Sequence, residues 1–62
     1  MLDEIMAFEQ GDLDNKGILN LFSKLVKNGM AWSLQGFYGR TAKDLIDNGY
    51  LNEQGDILKV RN

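Results

Sequence analysis

The 62-residue chain contains neither cysteine nor histidine, and this absence restricts its fold and chemistry more than any other feature. Domains of this size bury only about 60% of their unfolded surface and usually rely on disulfides, a metal or self-association. Without these two residue types the chain can form no disulfide, zinc ribbon, thiolate nucleophile or imidazole-based triad. We therefore expect one small domain over residues 1–62, stabilised by packing or self-association, with no cofactor and no enzymatic activity.

Charge is distributed unevenly along the chain, although the net charge is only −2. Residues 1–14 carry five acids and no base, whereas residues 15–43 carry five bases and no acid. We favour the interpretation that the acidic start neutralises the basic middle within one fold. The alternative is a basic face for an acidic partner or nucleic acid. A pI near 4.8 makes nucleic acid the less favoured partner.

Neither a membrane span nor a secretion signal is expected. No segment approaches the roughly 20 consecutive apolar residues of a transmembrane helix. The first residues are Met1-Leu2-Asp3-Glu4, which is acidic where a signal peptide is basic. Together with the missing cysteine, this predicts an intracellular protein with no membrane partner.

The clearest helix prediction covers about residues 15–28. Asp14 can cap its first turn, and Asn28-Gly29 can end it with glycine in a left-handed conformation. Between these ends, apolar residues recur at intervals of three and four, as on one face of a helix. They are Ile18, Leu21, Phe22, Leu25 and Val26.

The N-terminal segment also has helical spacing. Leu2, Ile5 and Met6 stand three and four residues apart, which predicts a short helix that ends near Gly11. A strand through residues 5–8 is the alternative that the same apolar residues allow.

A second long helix is predicted over about residues 33–48, because apolar residues keep the helical spacing there. Gly36 and Gly39 interrupt this segment, and each glycine costs about 1 kcal/mol relative to alanine within a helix. We favour a continuous helix in which the two glycines let another backbone approach closely. In the alternative, residues 33–40 form a structured loop and the helix begins later, capped by Thr41.

The remaining segment predicts a β-hairpin over about residues 50–60. Two short apolar runs, residues 50–51 and 57–60, flank a polar loop that contains Gly55, as in a hairpin. An isolated hairpin is marginal in water, so this one should pack on the helices. The predicted fold class is α+β and mainly helical, with two principal amphipathic helices, a short N-terminal helix and this C-terminal hairpin.

Motifs that carry chemistry are incomplete in this chain. Asp12 and Asp14 are similar to the start of a calcium-binding loop, but Lys16 and Ser23 occupy the fifth and twelfth positions, where ligands are needed. Residues 35–41 hold two glycines, an arginine and a threonine, but they lack the phosphate-loop spacing and a preceding strand. We therefore predict no metal site and no catalytic residues.

The segment between residues 32 and 43 combines aromatic and basic side chains. Tryptophan, tyrosine and arginine are enriched in binding hot spots, although large aromatic side chains also fill the cores of small domains. We assign Phe37 to the core and leave Trp32 and Tyr38 open between core and surface. Arg40 either bonds an acid of the N-terminal segment or reaches outward to a partner. The candidate partner-binding residues are Trp32, Gln35, Tyr38, Arg40 and Lys43.

The order of the predicted elements also permits a winged helix-turn-helix. The helix over residues 33–48 would then enter a DNA groove, and the hairpin would form the wing. The side chains that would contact the base edges are Gln35, Arg40 and Lys43. Because the same helix also carries two aspartates, a DNA-binding regulator is the alternative function and not the preferred one.

A longer motif gives a resemblance to a known family. Residues 31–42 read AW-x-LQG-x-YGR-x-A, and residues 8–13 and 21–29 contain the preceding blocks FE-x-GDL and LF-x-x-LV-x-x-G. This pattern is similar to that of a family of small uncharacterised tailed-bacteriophage proteins. The resemblance covers about residues 5–50, and residues 52–62 lie outside it.

The resemblance implies a context and not an activity. It implies a virus-encoded protein made in the host bacterial cytoplasm, and small phage proteins of this kind often bind a host protein to redirect or inhibit it. The function we expect is therefore a small non-enzymatic phage protein, a host-takeover or counter-defence inhibitor, that binds a host protein. Self-association into a homo-oligomer is a further expectation.

Overall fold

The computed structural model describes residues 2–34 and 37–60. Within these residues the chain forms four helices that pack around one small core. In chain order they are α1 (Leu2–Glu9), α2 (Asn15–Lys27), α3 (Met30–Ser33) and α4 (Tyr38–Asp47). Helix α1 is the short N-terminal helix that the apolar spacing predicts, so the alternative strand is wrong.

Helix α2 is the centre of the fold and confirms the prediction for this segment. Asp14 has an extended backbone, and its Oδ1 accepts a 2.7 Å hydrogen bond from the Gly17 N–H. This bond satisfies one of the amides that a helix start leaves unpaired. The apolar face of α2 lies in the core with the side chains of Leu19, Leu21, Phe22, Leu25 and Val26.

The predicted continuous helix over residues 33–48 is wrong. Leu34 ends α3 with an extended backbone (ψ 147°), and α4 begins at Tyr38. The alternative start capped by Thr41 is wrong as well, because Tyr38 precedes it. Most of the segment is the single helix α4, and the preceding helix α3, which ends at Ser33, packs against both α2 and α4.

One of the two glycines that we expected to allow a close approach can be described. Gly39 lies in the first turn of α4, and a Cβ built there would be 3.4 Å from the Ala31 carbonyl oxygen. This is an ordinary van der Waals distance, so the packing of α3 against α4 does not require a glycine at this position. Gly36 lies outside the described residues.

The predicted β-hairpin over residues 50–60 is also wrong, and with it the α+β fold class. In the described residues the segment makes one isolated antiparallel bridge, between Leu51 and Ile57, and no strand. The Leu58 N–H donates to the Tyr50 carbonyl oxygen at 2.8 Å and the Asn52 N–H donates to the Asp56 carbonyl oxygen at 3.0 Å, but these bonds form only the isolated bridge and no ladder. The domain is a small helical one that ends in a folded loop.

The side chain of Asn52 explains why this segment forms a loop and not two strands. Its Oδ1 accepts hydrogen bonds from the amides of Gln54 and Asp56, at 3.0 and 2.9 Å. An asparagine that bonds the backbone ahead of it stabilises a turn in place of a ladder. We call residues 50–58 the C-terminal loop.

The C-terminal loop is anchored on α2. Leu51 is buried in the core, and the Ser23 hydroxyl donates a 2.6 Å hydrogen bond to the Gly55 carbonyl oxygen in the interior. A buried hydroxyl that lacks a partner would be costly, so this bond makes the serine compatible with its position. The loop is therefore part of the packed domain.

Helix length also bears on membrane insertion. In the described ranges no helix is long and apolar enough to cross a membrane.

Candidate functional site

The most exposed aromatic side chain described belongs to Trp32, at 54% exposure. It lies on α3 and forms one wall of an open groove of about 400 Å³. Helix α4 and the C-terminal loop also contribute to its lining. The groove is lined by Trp32, Lys43, Ile46, Asp47 and Glu53.

Gly39, in the first turn of α4, lies close to the indole. A Cβ at this position would lie 3.7 Å from Cε3 of Trp32, which is ordinary van der Waals contact. The ring thus lies near the first turn of α4, while more than half of the residue's surface stays in solvent.

The charged residues of the groove are solvated. Lys43 Nζ lies 3.5 Å from Asp47 Oδ2 across one helical turn, with the two side chains 73% and 59% exposed. Such a surface pair contributes at most about 0.5 kcal/mol to stability. Glu53 has no ion-pair partner among the residues described, so the groove carries an excess of negative charge.

The predicted core position of Phe37 is wrong, and Tyr38 takes that place. Phe37 is 47% exposed and stacks on the Tyr38 ring at 5.1 Å, whereas Tyr38 is only 6% exposed. The Tyr38 hydroxyl donates a 2.7 Å hydrogen bond to Glu9 Oε2. Because Glu9 provides this partner, a polar ring tip can lie next to the core at low cost.

The five candidate residues therefore do not form one site. Trp32 and Lys43 line the same groove, while Tyr38 packs into the aromatic core with Phe8 and Phe22. Arg40 is exposed on α4 and makes no ion pair within the described residues, so it reaches outward. Gln35 lies outside the described residues.

Three groove residues were missed by the sequence analysis: Ile46, Asp47 and Glu53. The spacing of Lys43 and Asp47, four apart on a helix, was a usable signal for their pairing. Glu53 had no local signal, because only the folding of the C-terminal loop brings it to α4.

Two of the lysines outside the groove, Lys24 and Lys27, lie beside acids, and the partner of Lys24 belongs to the acidic start of the chain. Lys24 Nζ is 2.7 Å from Glu4 Oε1, and Lys27 Nζ is 3.6 Å from Asp56 Oδ1. The hydrogen bond from Lys24 holds the pKa of Glu4 below its usual range. The described surface is one of mixed charge and offers little for a basic face.

Tyr38 makes the stability of the domain depend on pH at the alkaline end. Burial and the hydrogen bond to Glu9 raise the pKa of Tyr38 to about 12, compared with about 10 for an unfolded tyrosine. The folded state thus holds this proton more tightly, and the stabilisation is complete below about pH 10 and is lost as pH rises towards 12.

We expect the wild type to lose more stability than Tyr38→Phe between pH 9 and pH 11.5, as measured by urea midpoints. At pH 7 the variant should itself be less stable by about 1 kcal/mol, the value of one hydrogen bond. The two proteins differ in no other side chain, so the difference between their losses reports the Tyr38 hydroxyl alone. Equal losses in both proteins would contradict the assignment.

The winged-helix alternative loses the element that would form its wing, since the described part of residues 50–60 has no hairpin. DNA binding itself stays a prediction, which a filter-binding titration at low salt would test.

In residues 2–34 and 37–60, no group of three or more histidine, cysteine, aspartate or glutamate side chains is placed to hold a metal ion.

Comparison with known proteins gives a family and no characterised relative. No curated protein and no solved structure matches the chain. A family model matches from the first residue to the last, and the match therefore includes the C-terminal loop packed on α2. The chain belongs to the family described as a domain of unknown function, DUF7417, over residues 1–62.

Proposed function

We propose that this domain is a small phage-encoded, non-enzymatic protein that acts in the host bacterial cytoplasm by binding a host protein, as a takeover or counter-defence inhibitor. The observation that supports binding is Trp32, a half-exposed tryptophan at the edge of a groove. Tryptophan is among the residues most enriched in binding hot spots. The phage context rests on the motif resemblance at residues 31–42.

The surroundings of Trp32 support the same proposal. Met30 and Phe37, which flank it in sequence, are also large apolar residues with substantial exposure. Exposed apolar residues are normal on a small domain, so Met30 and Phe37 support the proposal only as apolar residues close to Trp32 in the chain. Burial against a partner would remove this area from water, at about 25 cal/mol per Å².

The groove favours binding over catalysis. Acid–base catalysis needs carboxylates in a partly dry pocket that separates their pKa values. Lys43 and Asp47 have side chains that are more than half exposed, and the chain has no histidine or cysteine to add a nucleophile or an imidazole base.

Affinity capture from bacterial lysates tests the proposal. We expect the wild-type domain to retain one defined protein, identified by mass spectrometry and confirmed by rebinding of the purified pair. Trp32→Ala should reduce this binding at least about tenfold, since hot-spot truncations cost more than 2 kcal/mol. Arg40→Ala should have a smaller effect.

Leu58→Ala is the matched control, because Leu58 is an equally exposed apolar residue on the C-terminal loop and does not line the groove. It should bind like the wild type. If Trp32→Ala and Leu58→Ala bind equally well, the site is elsewhere. If the only captured protein is a second copy of the chain, the domain is a homo-oligomer and the proposed host partner is wrong.

A further inference from the structure

The groove combines a flat aromatic wall with a negatively charged rim. Trp32 contributes a half-exposed indole to the lining, and Asp47 and Glu53 contribute carboxylates from α4 and from the C-terminal loop. Indole attracts cations more strongly than any other side-chain ring. A cation that carries an apolar stem can satisfy the ring, the aliphatic wall of Ile46 and the carboxylates together.

The charges in the groove determine the sign of the charge that a ligand should carry. Lys43 Nζ lies 3.5 Å from Asp47 Oδ2, so the formal charges of these two residues sum to zero within the groove. Glu53 has no such partner in the described part of the chain. The groove therefore carries one uncompensated negative charge beside an aromatic face, and a positively charged group complements it.

We infer that this groove binds an arginine side chain presented by a basic segment of the partner protein. The inference rests on the proposed function, because it specifies the partner for the same surface. A guanidinium is planar, so it can stack on the Trp32 indole while its N–H groups point towards Glu53. Its methylene stem covers Ile46, and the groove of about 400 Å³ has room for the flanking backbone.

Lys43 makes the inference specific, because it competes with the ligand. An arriving guanidinium meets the like charge of Lys43 and shares the Asp47 carboxylate with it. Removal of the lysine charge should therefore strengthen binding of a basic segment, whereas removal of the Glu53 charge should weaken it. An acidic partner would respond to the two substitutions with the opposite signs.

Fluorescence tests this directly, because Trp32 is the only tryptophan in the chain. The full chain is titrated with a short acetylated and amidated peptide that contains one arginine between glycines. The matched peptides carry citrulline, which is neutral and nearly isosteric, or glutamate. We expect a saturable change in Trp32 emission with the arginine peptide and none with the other two.

Two charge variants test whether the groove prefers a positively charged ligand. Glu53→Gln should weaken binding of the arginine peptide about two- to fivefold, the range for an exposed charge pair. Lys43→Gln should strengthen it by a similar factor, and added salt should weaken it. Circular dichroism of each variant confirms that the fold is retained.

Equal responses to arginine and citrulline, binding of the glutamate peptide, or unchanged affinity in both variants would overturn the inference. These outcomes are separable from failure of the proposed function. If lysate capture depends on Trp32 but the arginine peptide does not bind, the domain is a binding protein whose ligand is not arginine. If Trp32→Ala leaves capture unchanged as well, both proposals fail.

Discussion

Replacement of Gly55 by alanine should destabilise the domain by about 3 kcal/mol or more. Gly55 has φ +92°, a conformation that costs other residues about 1–2 kcal/mol. An added Cβ would also lie 2.8 Å from the Ser23 carbonyl oxygen and 3.2 Å from the Lys27 backbone nitrogen. These contacts are with the backbone of α2, so a change of rotamer cannot relieve them.

The expected loss is large relative to the stability of such a domain, which is roughly 3–9 kcal/mol at the usual value per residue. The C-terminal loop should detach from α2, and the buried hydrogen bond from Ser23 to the Gly55 carbonyl should be lost with it. Urea denaturation followed by circular dichroism would measure the change.

Gly29→Ala is the matched control for this experiment. Gly29 has a similar dihedral angle, φ +77°, but a Cβ there would meet no atom within 4 Å. This variant should lose only the backbone term, about 1–2 kcal/mol. If the two variants lose the same stability, Gly55 is not in steric contact with α2 and the packing of the loop is described wrongly.

Phe22→Ala should unfold the domain or nearly so, with a loss of about 3–5 kcal/mol. Phe22 is fully buried on α2, and its ring meets Phe8 edge to face at 5.2 Å and Tyr38 at 6.1 Å. Removal of the ring leaves a cavity beneath both contacts, which α1 and α4 cannot fill because each is held by its own packing.

Phe37→Ala is the comparison, because it removes the same side chain from a half-exposed position in the same aromatic group. Its loss should be about 1 kcal/mol, in line with partial burial. Thermal unfolding by circular dichroism compares the two, and Phe22→Leu provides a milder core variant if Phe22→Ala does not fold. A larger loss of stability for Phe37→Ala than for Phe22→Ala would contradict this result and show that Phe37 belongs to the core.

Helix α2 was the part of the fold that local signals could predict. Its cap, its apolar periodicity and its glycine stop all act within a few residues of one another, and the Asp14–Gly17 hydrogen bond spans three positions. Such interactions are present in the chain itself, before any tertiary contact. The short N-terminal helix was predictable for the same reason.

The identities of the core aromatic residues could not be predicted in this way. Phe37 and Tyr38 are neighbours, and hydrophobicity alone favours phenylalanine for the interior. The choice was made by Glu9, which lies 29 positions away and accepts the Tyr38 hydroxyl hydrogen bond. A satisfied hydroxyl removes the penalty for burying a tyrosine.

The C-terminal loop and the groove show the same dependence on distant residues. Apolar runs around a glycine are typical of a hairpin, but Asn52 bonds the backbone ahead of it, and Ser23 and α2 bind Gly55 from 32 positions away. Of the four candidate residues that the structure describes, Trp32 and Lys43 line the groove, and Glu53 joins them through this loop.

The sequence by itself determined which chemistry this protein lacks and where its central helix lies. The missing cysteine and histidine rule out disulfides and imidazole chemistry, and caps and periodicity define α2. Only the tertiary structure decided that Tyr38 is inside and Phe37 outside, that the last segment is a loop, and that Trp32 stands over a negatively charged groove. The physical reason is the sequence distance over which each interaction acts. Caps and apolar periodicity act between residues that are neighbours in the chain, whereas burial depends on partners that only folding brings together.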